Sequence, residues 1–233
     1  MDLKHLNYLP TLKTMPAPSF SEIARYRIEA PALRTIAVTH DLIGRHGRIA
    51  AVLQRHLAQL GRTKAFKVLD VGAHDRAFGR SLARTNLPCM YSSLDIDNST
   101  AHDFDNIDNV KGYFDVIAMF ELIEHLPYEQ VDDLLHKAYS LLAPEGRLFI
   151  STPNPFHPTQ YFSDVSHKQH WPPDDLYAIL RGVGFARDQI EIYGVIYNFS
   201  SPLRRVLTGM RNLIWRVIGI DRRGGILAIA IKG

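Results

Sequence analysis

Between residues 66 and 152 the sequence carries four short apolar runs, FKVLDVG, MYSSLDID, FDVIAMF and GRLFIST. Runs of this length, apolar at consecutive positions, suit strands buried on both faces. Between the third and fourth, Val131, Leu134, Leu135, Ala138, Leu141 and Leu142 recur at helical spacing behind Pro127, a residue suited to a helix start. Strand, helix, strand is the crossover unit of a parallel sheet. Further on, PPDDLYAILRGVGF (172–185) predicts another helix stopped by glycine, and QIEIYGVIY and GILAIAIKG predict two last strands. The architecture these elements imply is an open, mostly parallel α/β sheet with helices on both faces.

The amino-terminal part reads differently. Residues 1–31 contain Pro10, Pro16, Pro18 and Pro31 and predict an irregular arm with a short helix near 20–29. Residues 32–61 are helical in character and stop at Gly61. The predicted organisation is therefore an arm and helical cap over 1–61, then one α/β domain over 62–233.

Composition narrows the setting. One cysteine, Cys89, excludes an internal disulfide framework and a cysteine-built zinc site, and fits a reducing compartment. The first residues show no apolar core with a cleavage site, so the expected location is cytoplasmic. The net charge of +3 is local: residues 200–223 hold six arginines against the single Asp221. The rest of the chain is slightly acidic, which argues against a nucleic-acid-binding surface.

In open parallel sheets ligands bind at the carboxyl ends of the strands. The first run ends in Asp70, Val71 and Gly72, where glycine lets backbone approach a ligand. The second ends in Asp95, at a spacing from Gly72 where an acid accepts the two hydroxyls of a ribose. A lone Asp after an apolar run is more often a helix cap or turn residue, and it is the spacing from Gly72 that favours a cofactor contact for Asp95. The dinucleotide fingerprint G-x-G-x-x-G is absent, since the next glycine after Gly72 is Gly79.

VLDVG, SLDID, HDF, FDVIAMFELIEHL and LLAPEGRLFISTPNP follow one another in an order that resembles the class I S-adenosylmethionine-dependent methyltransferases. The likeness covers residues 66–195 and is greatest to the branch acting on small molecules and sugars. It implies a Rossmann-like, doubly wound sheet of seven strands, the last antiparallel, and S-adenosylmethionine as cofactor. It implies Asp70, Gly72 and Ala73 at the methionine end, with His74 beside them, and Asp95 on the ribose. Ile96 would lie against the adenine, Asp103 and Phe104 at its edge, and Phe120 and Glu121 near the transferring methyl. The interval from Asp95 to Phe114 is too short for a helix and a strand, so the helix after the second run is expected to be missing.

Methyl transfer to a hydroxyl asks for a base, and histidine suits it. His125 and His167 are the candidates, His125 having an alternative role in orienting the next helix. SDVSHKQHW (163–171) resembles the D-x-x-H loop of glycan-modifying relatives, which would make Asp164, His170 and Trp171 an acceptor surface. The alternative is a loop packed by its own side chains. A metal is not expected, because no carboxylate-rich ligand set accompanies His167 and His170. His74 and Arg76 either cap the methionine carboxylate or crowd the cofactor, so a methyltransferase fold serving as a partner subunit stands as the alternative function. A nicotinamide-dependent oxidoreductase is a further one.

Residues 202–219 form a basic amphipathic helix inside an insertion at about 200–223. Its stripe (Leu203, Val206, Leu207, Met210, Leu213, Ile214, Val217, Ile218) is expected to pack on its own domain or in a homodimer, with peripheral membrane contact as the other reading.

Overall fold

The computed structural model describes residues 19–40, 65–85, 87–159, 161–199 and 202–233. The proline-rich arm over 1–18 and the expected helix over 41–61 lie outside them. Helix α1 (Phe20–Glu29) starts where expected. Ser19 caps it by accepting from the Glu22 N–H while the Glu22 carboxylate accepts from the Ser19 N–H at 2.9 Å, a reciprocal capping box.

Seven strands form one sheet: β1 (Arg34–His40), β2 (Phe66–Val71), β3 (Cys89–Leu94), β4 (Phe114–Phe120), β5 (Leu142–Pro153), β6 (Ile190–Phe199) and β7 (Gly225–Ile231). Their order is β1-β6-β7-β5-β4-β2-β3, with β7 antiparallel to both β5 and β6 and every other pair parallel. The doubly wound sheet with an antiparallel last strand is thus the observed fold. One element differs from the sequence reading. Arg34–His40 is not helical but an edge strand paired along its length with β6. Arg34 and Thr35 are exposed, so this strand lacks the apolar run that marks the central ones.

Helices α2 (Ala77–Ala83), α3 (Tyr128–Leu141) and α4 (Pro173–Val183) cover the sheet. Every residue of β4 is buried, as a strand covered on both faces must be. One apolar cluster, including Leu69, Ile117, Leu135 and Tyr177, fills one side; a smaller one, including Val68, Phe78, Phe120 and Phe149, fills the other. Gly79 has a packing reason: a Cβ there would stand 2.6 Å from Cζ of Tyr91, so only glycine lets α2 lie on β3. No helix joins β3 to β4; a Leu94–Phe104 bridge and a single 3₁₀ turn, Ile107–Asn109, do so.

Helix α5 (Pro202–Val217) is inserted between β6 and β7. The stripe does not pack on its own domain, which corrects that half of the expectation. Asn212, on the polar side, is 8% exposed, while the apolar stripe from Leu203 to Val217 is 57–78% exposed.

Candidate active site

The parallel register sets Asp70 beside Ala118 and Val71 beside Met119, so β2 and β4 end together. Their continuing loops enclose a cavity of about 260 Å³ lined by Asp70, Gly72, Ala73, His74, Phe78, Phe120 and Glu121. The four residues expected at the methionine end, and the two expected near the transferring methyl, all line it. Gly72 turns the chain at φ +72, and a Cβ there would lie 2.8 Å from Cδ1 of Leu122. Backbone conformation and space both require glycine at this point.

Two other residues of the rim sit in the left-handed region without being glycine, His74 at φ 43 and Glu121 at φ 51. Such conformations persist only where surrounding contacts hold them. The His74 N–H donates to Asp95 Oδ2 at 2.7 Å. The Glu121 N–H donates to the Ser151 carbonyl at 2.9 Å, and the Ser151 hydroxyl donates to Glu121 Oε1 at 2.8 Å. The His74 side chain lines the cavity and is 81% exposed.

Asp95, at the end of β3, also accepts the Asp97 N–H on Oδ1 at 2.9 Å. Each carboxylate oxygen keeps a further lone pair. A second cavity of about 320 Å³ opens there, lined by Asp95, Asn98, His102, Asp103, Phe104, Asp105 and Asn109. Asp103 is fixed at its edge by the N–H and hydroxyl of Ser93, at 2.7 and 2.9 Å. Phe104 hydrogen-bonds through its backbone to Ser93 and Asp95, and Ile96 packs on the main core. His102 lines this cavity, and its ring nitrogens are buried without a hydrogen-bond partner. A larger cavity of about 460 Å³ lies at the amino starts of β1 and β6, on the opposite edge of the sheet.

Asp70 is buried, which pushes its carboxyl up to about 7 although the Tyr91 hydroxyl donates to Oδ2 at 2.6 Å and opposes the shift. The Asp95 charge adds to the rise. Arg76 is not among the residues that line the first cavity. Turned at φ 60, it donates to the Ala101 carbonyl at 3.3 Å, lies 3.8 Å from Asp103 and stacks over Tyr91, bracing the second cavity instead.

Beyond β4 a 3₁₀ turn, Ile123–His125, meets the loop that follows β5. The Lys168 and Gln169 N–H groups donate to the Glu124 carbonyl at 2.8 and 3.1 Å, tying the loop down. His125 and His167 come together with ring centres 5.0 Å apart. The Ser166 hydroxyl donates its proton to Asp164 Oδ1 at 2.6 Å, so both Ser166 oxygens face His125 Nδ1 as acceptors, at 3.0 and 3.3 Å. Nδ1 therefore carries the ring proton and Nε2 holds the free lone pair. Burial, and next to it the neighbouring His167, hold the His125 imidazole below the ordinary histidine range despite the Ser166 hydrogen bond. His167 donates Nδ1–H to the Tyr161 carbonyl at 2.7 Å, and its Nε2 stands 4.0 Å from Asp164 Oδ2. The serine hydrogen bonds hold the Asp164 carboxyl below its usual value.

Two residues that sequence reasoning passed over belong to this group. Buried Glu124 offers a carboxylate oxygen within 4.8 Å of donor atoms on His125 and His167. Tyr161 lies against the His167 and His170 rings at 5.2 and 6.0 Å. Nothing in the sequence pattern distinguished Tyr161 from the other aromatics of its loop. Trp171 is not an open stacking platform: it is 4% exposed, donates Nε1–H to the Ile123 carbonyl at 3.2 Å and stacks on Tyr128. Its place is in the core beneath the site.

A family described as a methyltransferase domain matches residues 42–190, more than half of the chain. The chain belongs to this family. It is an enzyme of the methyltransferase class with S-adenosylmethionine as cofactor. In fold it is similar to an S-adenosylmethionine-dependent methyltransferase of Archaeoglobus fulgidus (20% identity, TM-score 0.58, covering 81% of this chain and 95% of that one). It is also similar to one of Mesorhizobium loti (16%, 0.54, 78% and 98%). Phosphoethanolamine N-methyltransferase 2 of Haemonchus contortus, determined with S-adenosyl-L-methionine, aligns at 15% identity and TM-score 0.50 over 77% of this chain and 52% of its own. No curated protein sequence matches the chain.

Proposed function

We propose that this methyltransferase acts on a hydroxyl or amine of a small-molecule or sugar acceptor, with His125 as the proton acceptor. The observation that carries the reading is the chain Asp164, Ser166, His125, which fixes one imidazole tautomer beside the loop where β4 ends. The residues present fit the cofactor. Two cavities flank the His74–Asp95 hydrogen bond, Asp95 keeps lone pairs for two hydroxyls, and His102 lines the second cavity.

In this reading Asp70, Gly72, Ala73, Phe120 and Glu121 hold the methionine end. Asp95 binds the ribose, and Asp103, Phe104 and His102 surround the base. S-adenosylmethionine supplies an already electrophilic methyl, so the protein's work is placement and proton management. Phe120 and Phe78, packed edge to face at 4.9 Å, give the cavity an apolar wall that excludes water from the reacting atoms. His125 Nε2 takes the acceptor's proton while Ser166 holds Nδ1–H and steadies the imidazolium that forms. Asp164, His167, His170 and Tyr161 line the polar side of the acceptor loop. Its composition, one carboxylate with imidazoles and a phenol ring, suits a hydroxyl-rich ring. The cavity that remains with His74 in its lining argues against the partner-subunit alternative.

Calorimetry with S-adenosylhomocysteine, followed by an acceptor screen with methyl-labelled cofactor, tests the proposal. Micromolar binding and label transfer to hydroxylated or amine acceptors are expected. Tight cofactor binding with label transferred only to a macromolecule would replace the acceptor class.

A further inference from the structure

Helix α5 carries its amphipathicity the wrong way round for a helix of a monomeric domain. On a helical wheel, Leu203, Val206, Leu207, Met210, Leu213, Ile214, Val217 and Ile218 occupy one continuous arc of roughly 140° at 100° per residue, and every one of them is exposed. The helix rests on the protein through the opposite side, by buried Asn212 and by Trp215, whose ring meets His157 edge to face at 5.2 Å. Isolated exposed apolar residues are ordinary, but a whole helix face is a surface built to be covered.

The charge around this face says what covers it. Arg211 and Arg216 are exposed and flank the apolar arc on its two sides, Arg211 with its guanidinium over the Trp215 ring at 4.6 Å. No acidic residue occurs between Asp188 and Asp221 except Glu191, and Asp221 is held by Arg223 at 2.7 Å. An apolar arc bordered on both sides by arginine matches acyl chains bordered by anionic headgroups, with long cationic side chains reaching back to the phosphate level. The acceptor loop extends the same pattern. Asn154, buried at its start, donates to Asp221 and to the Arg223 carbonyl at 3.0 and 2.7 Å, fixing the loop to the segment that follows α5. From that loop Phe156, Phe162 and Val165 point into solvent. Among the described residues no helix is long and apolar enough to cross a membrane.

We propose that α5, with the exposed apolar residues of the 154–171 loop, docks the enzyme on an anionic lipid bilayer. Topology gives the docking a consequence. The insertion leaves from the carboxyl end of β6, the same sheet edge at which β2 and β4 open into the cofactor cavity. A bilayer held against α5 therefore faces the acceptor loop, and the acceptor is an amphiphile anchored in that bilayer. This last step rests on the methyl-transfer reading above, whereas the docking does not.

The test is co-sedimentation of the full chain with phosphatidylcholine vesicles, with and without phosphatidylglycerol, in low and high salt. The protein is expected to pellet with the anionic vesicles and to be released by salt. Leu207→Glu with Ile214→Glu, and separately Arg211→Glu with Arg216→Glu, are each expected to lower partitioning by about tenfold or more. Both double variants should keep wild-type affinity for S-adenosylhomocysteine, which shows that they are folded. Wild-type protein that stays in the supernatant with anionic vesicles overturns the proposal. So does sedimentation equilibrium showing a dimer that the Leu207→Glu, Ile214→Glu variant dissolves, because a second copy then covers the stripe. Vesicle binding is read without acceptor or methyl donor, so its failure is distinct from failure of the enzymatic reading.

Discussion

The backbone N–H of His74 donates to Oδ2 of Asp95 across 2.7 Å, joining the loop after β2 to the end of β3. One carboxylate thus does two things: it holds a non-glycine residue at φ 43 and presents its remaining lone pairs to the second cavity. Asp95→Ala is expected to weaken binding of S-adenosylhomocysteine by on the order of 2 kcal/mol or more, from lost charge-assisted hydrogen bonds and a loosened loop. His74→Ala keeps the N–H and removes only an exposed ring, so calorimetry should find its affinity within about threefold of wild type.

Asp70 supplies a pH dependence. Burial raises its carboxyl to about 7, so it is protonated in the free protein at pH 6 and ionised at pH 8. A ligand carrying the ammonium and sulfonium of S-adenosylmethionine favours the ionised form. Affinity should rise about tenfold per pH unit up to 7 and level off above it. Asp70→Asn should flatten the curve. Tyr91→Phe removes the hydroxyl that stabilises the charge, and its curve should bend at higher pH than wild type. Apo stability runs the other way: a raised folded-state pKa gives stability that is present near pH 4 and is lost as pH climbs through about 7. Thermal melts of wild type and Asp70→Asn across that window check the sign.

Gly79 links helix packing to the same carboxyl. A Cβ at this position meets the Tyr91 ring, and the Tyr91 hydroxyl is the donor to Asp70. Gly79→Ala should cost about 1–3 kcal/mol in urea unfolding, as other overpacking substitutions do. In Gly79→Ala the cofactor affinity should also shift toward that of Tyr91→Phe. Unchanged stability would mean that α2 moves aside freely.

The central strands were legible because burial on both faces writes a nearly continuous apolar run, as in FDVIAMF, where only Asp115 interrupts it. β1 was not, because an edge strand with Arg34 and Thr35 exposed writes no such run, and its neighbours in sequence have helical character. Asp70, Gly72 and Asp95 could be placed at the strand ends that border the two cavities, because where an apolar run stops is visible in sequence. Arg76 and Trp171 could not, since their surroundings are set by a left-handed turn and by a contact with the Ile123 carbonyl 48 residues away. Glu124 was hidden in a motif, and only folding sets its carboxylate beside His167, which lies in the loop after the next strand. The stripe of α5 was found in sequence, but which side faces the protein is decided by Asn212 and Trp215, residues that amphipathicity alone assigns to solvent.

The last prediction separates two uses of His125. As the proton acceptor it works in its neutral form, and burial keeps that form populated to lower pH than an ordinary histidine. With cofactor saturating, kcat should be flat through neutral pH and fall on an acid limb below about 6.5, the unperturbed histidine value. His125→Gln should lower kcat by about 10²- to 10⁴-fold with the cofactor KM unchanged, the range for loss of a general base. Ser166→Ala leaves Nδ1 with only the longer bond to the backbone carbonyl, and should lower kcat by a smaller factor, about tenfold, by releasing the ring. Glu124, His125 and His167 also present donor atoms of the kind that hold a divalent ion. Turnover should nonetheless survive dialysis against EDTA; activity that disappears and returns with added manganese or magnesium would make the two histidines ligands rather than His125 the base.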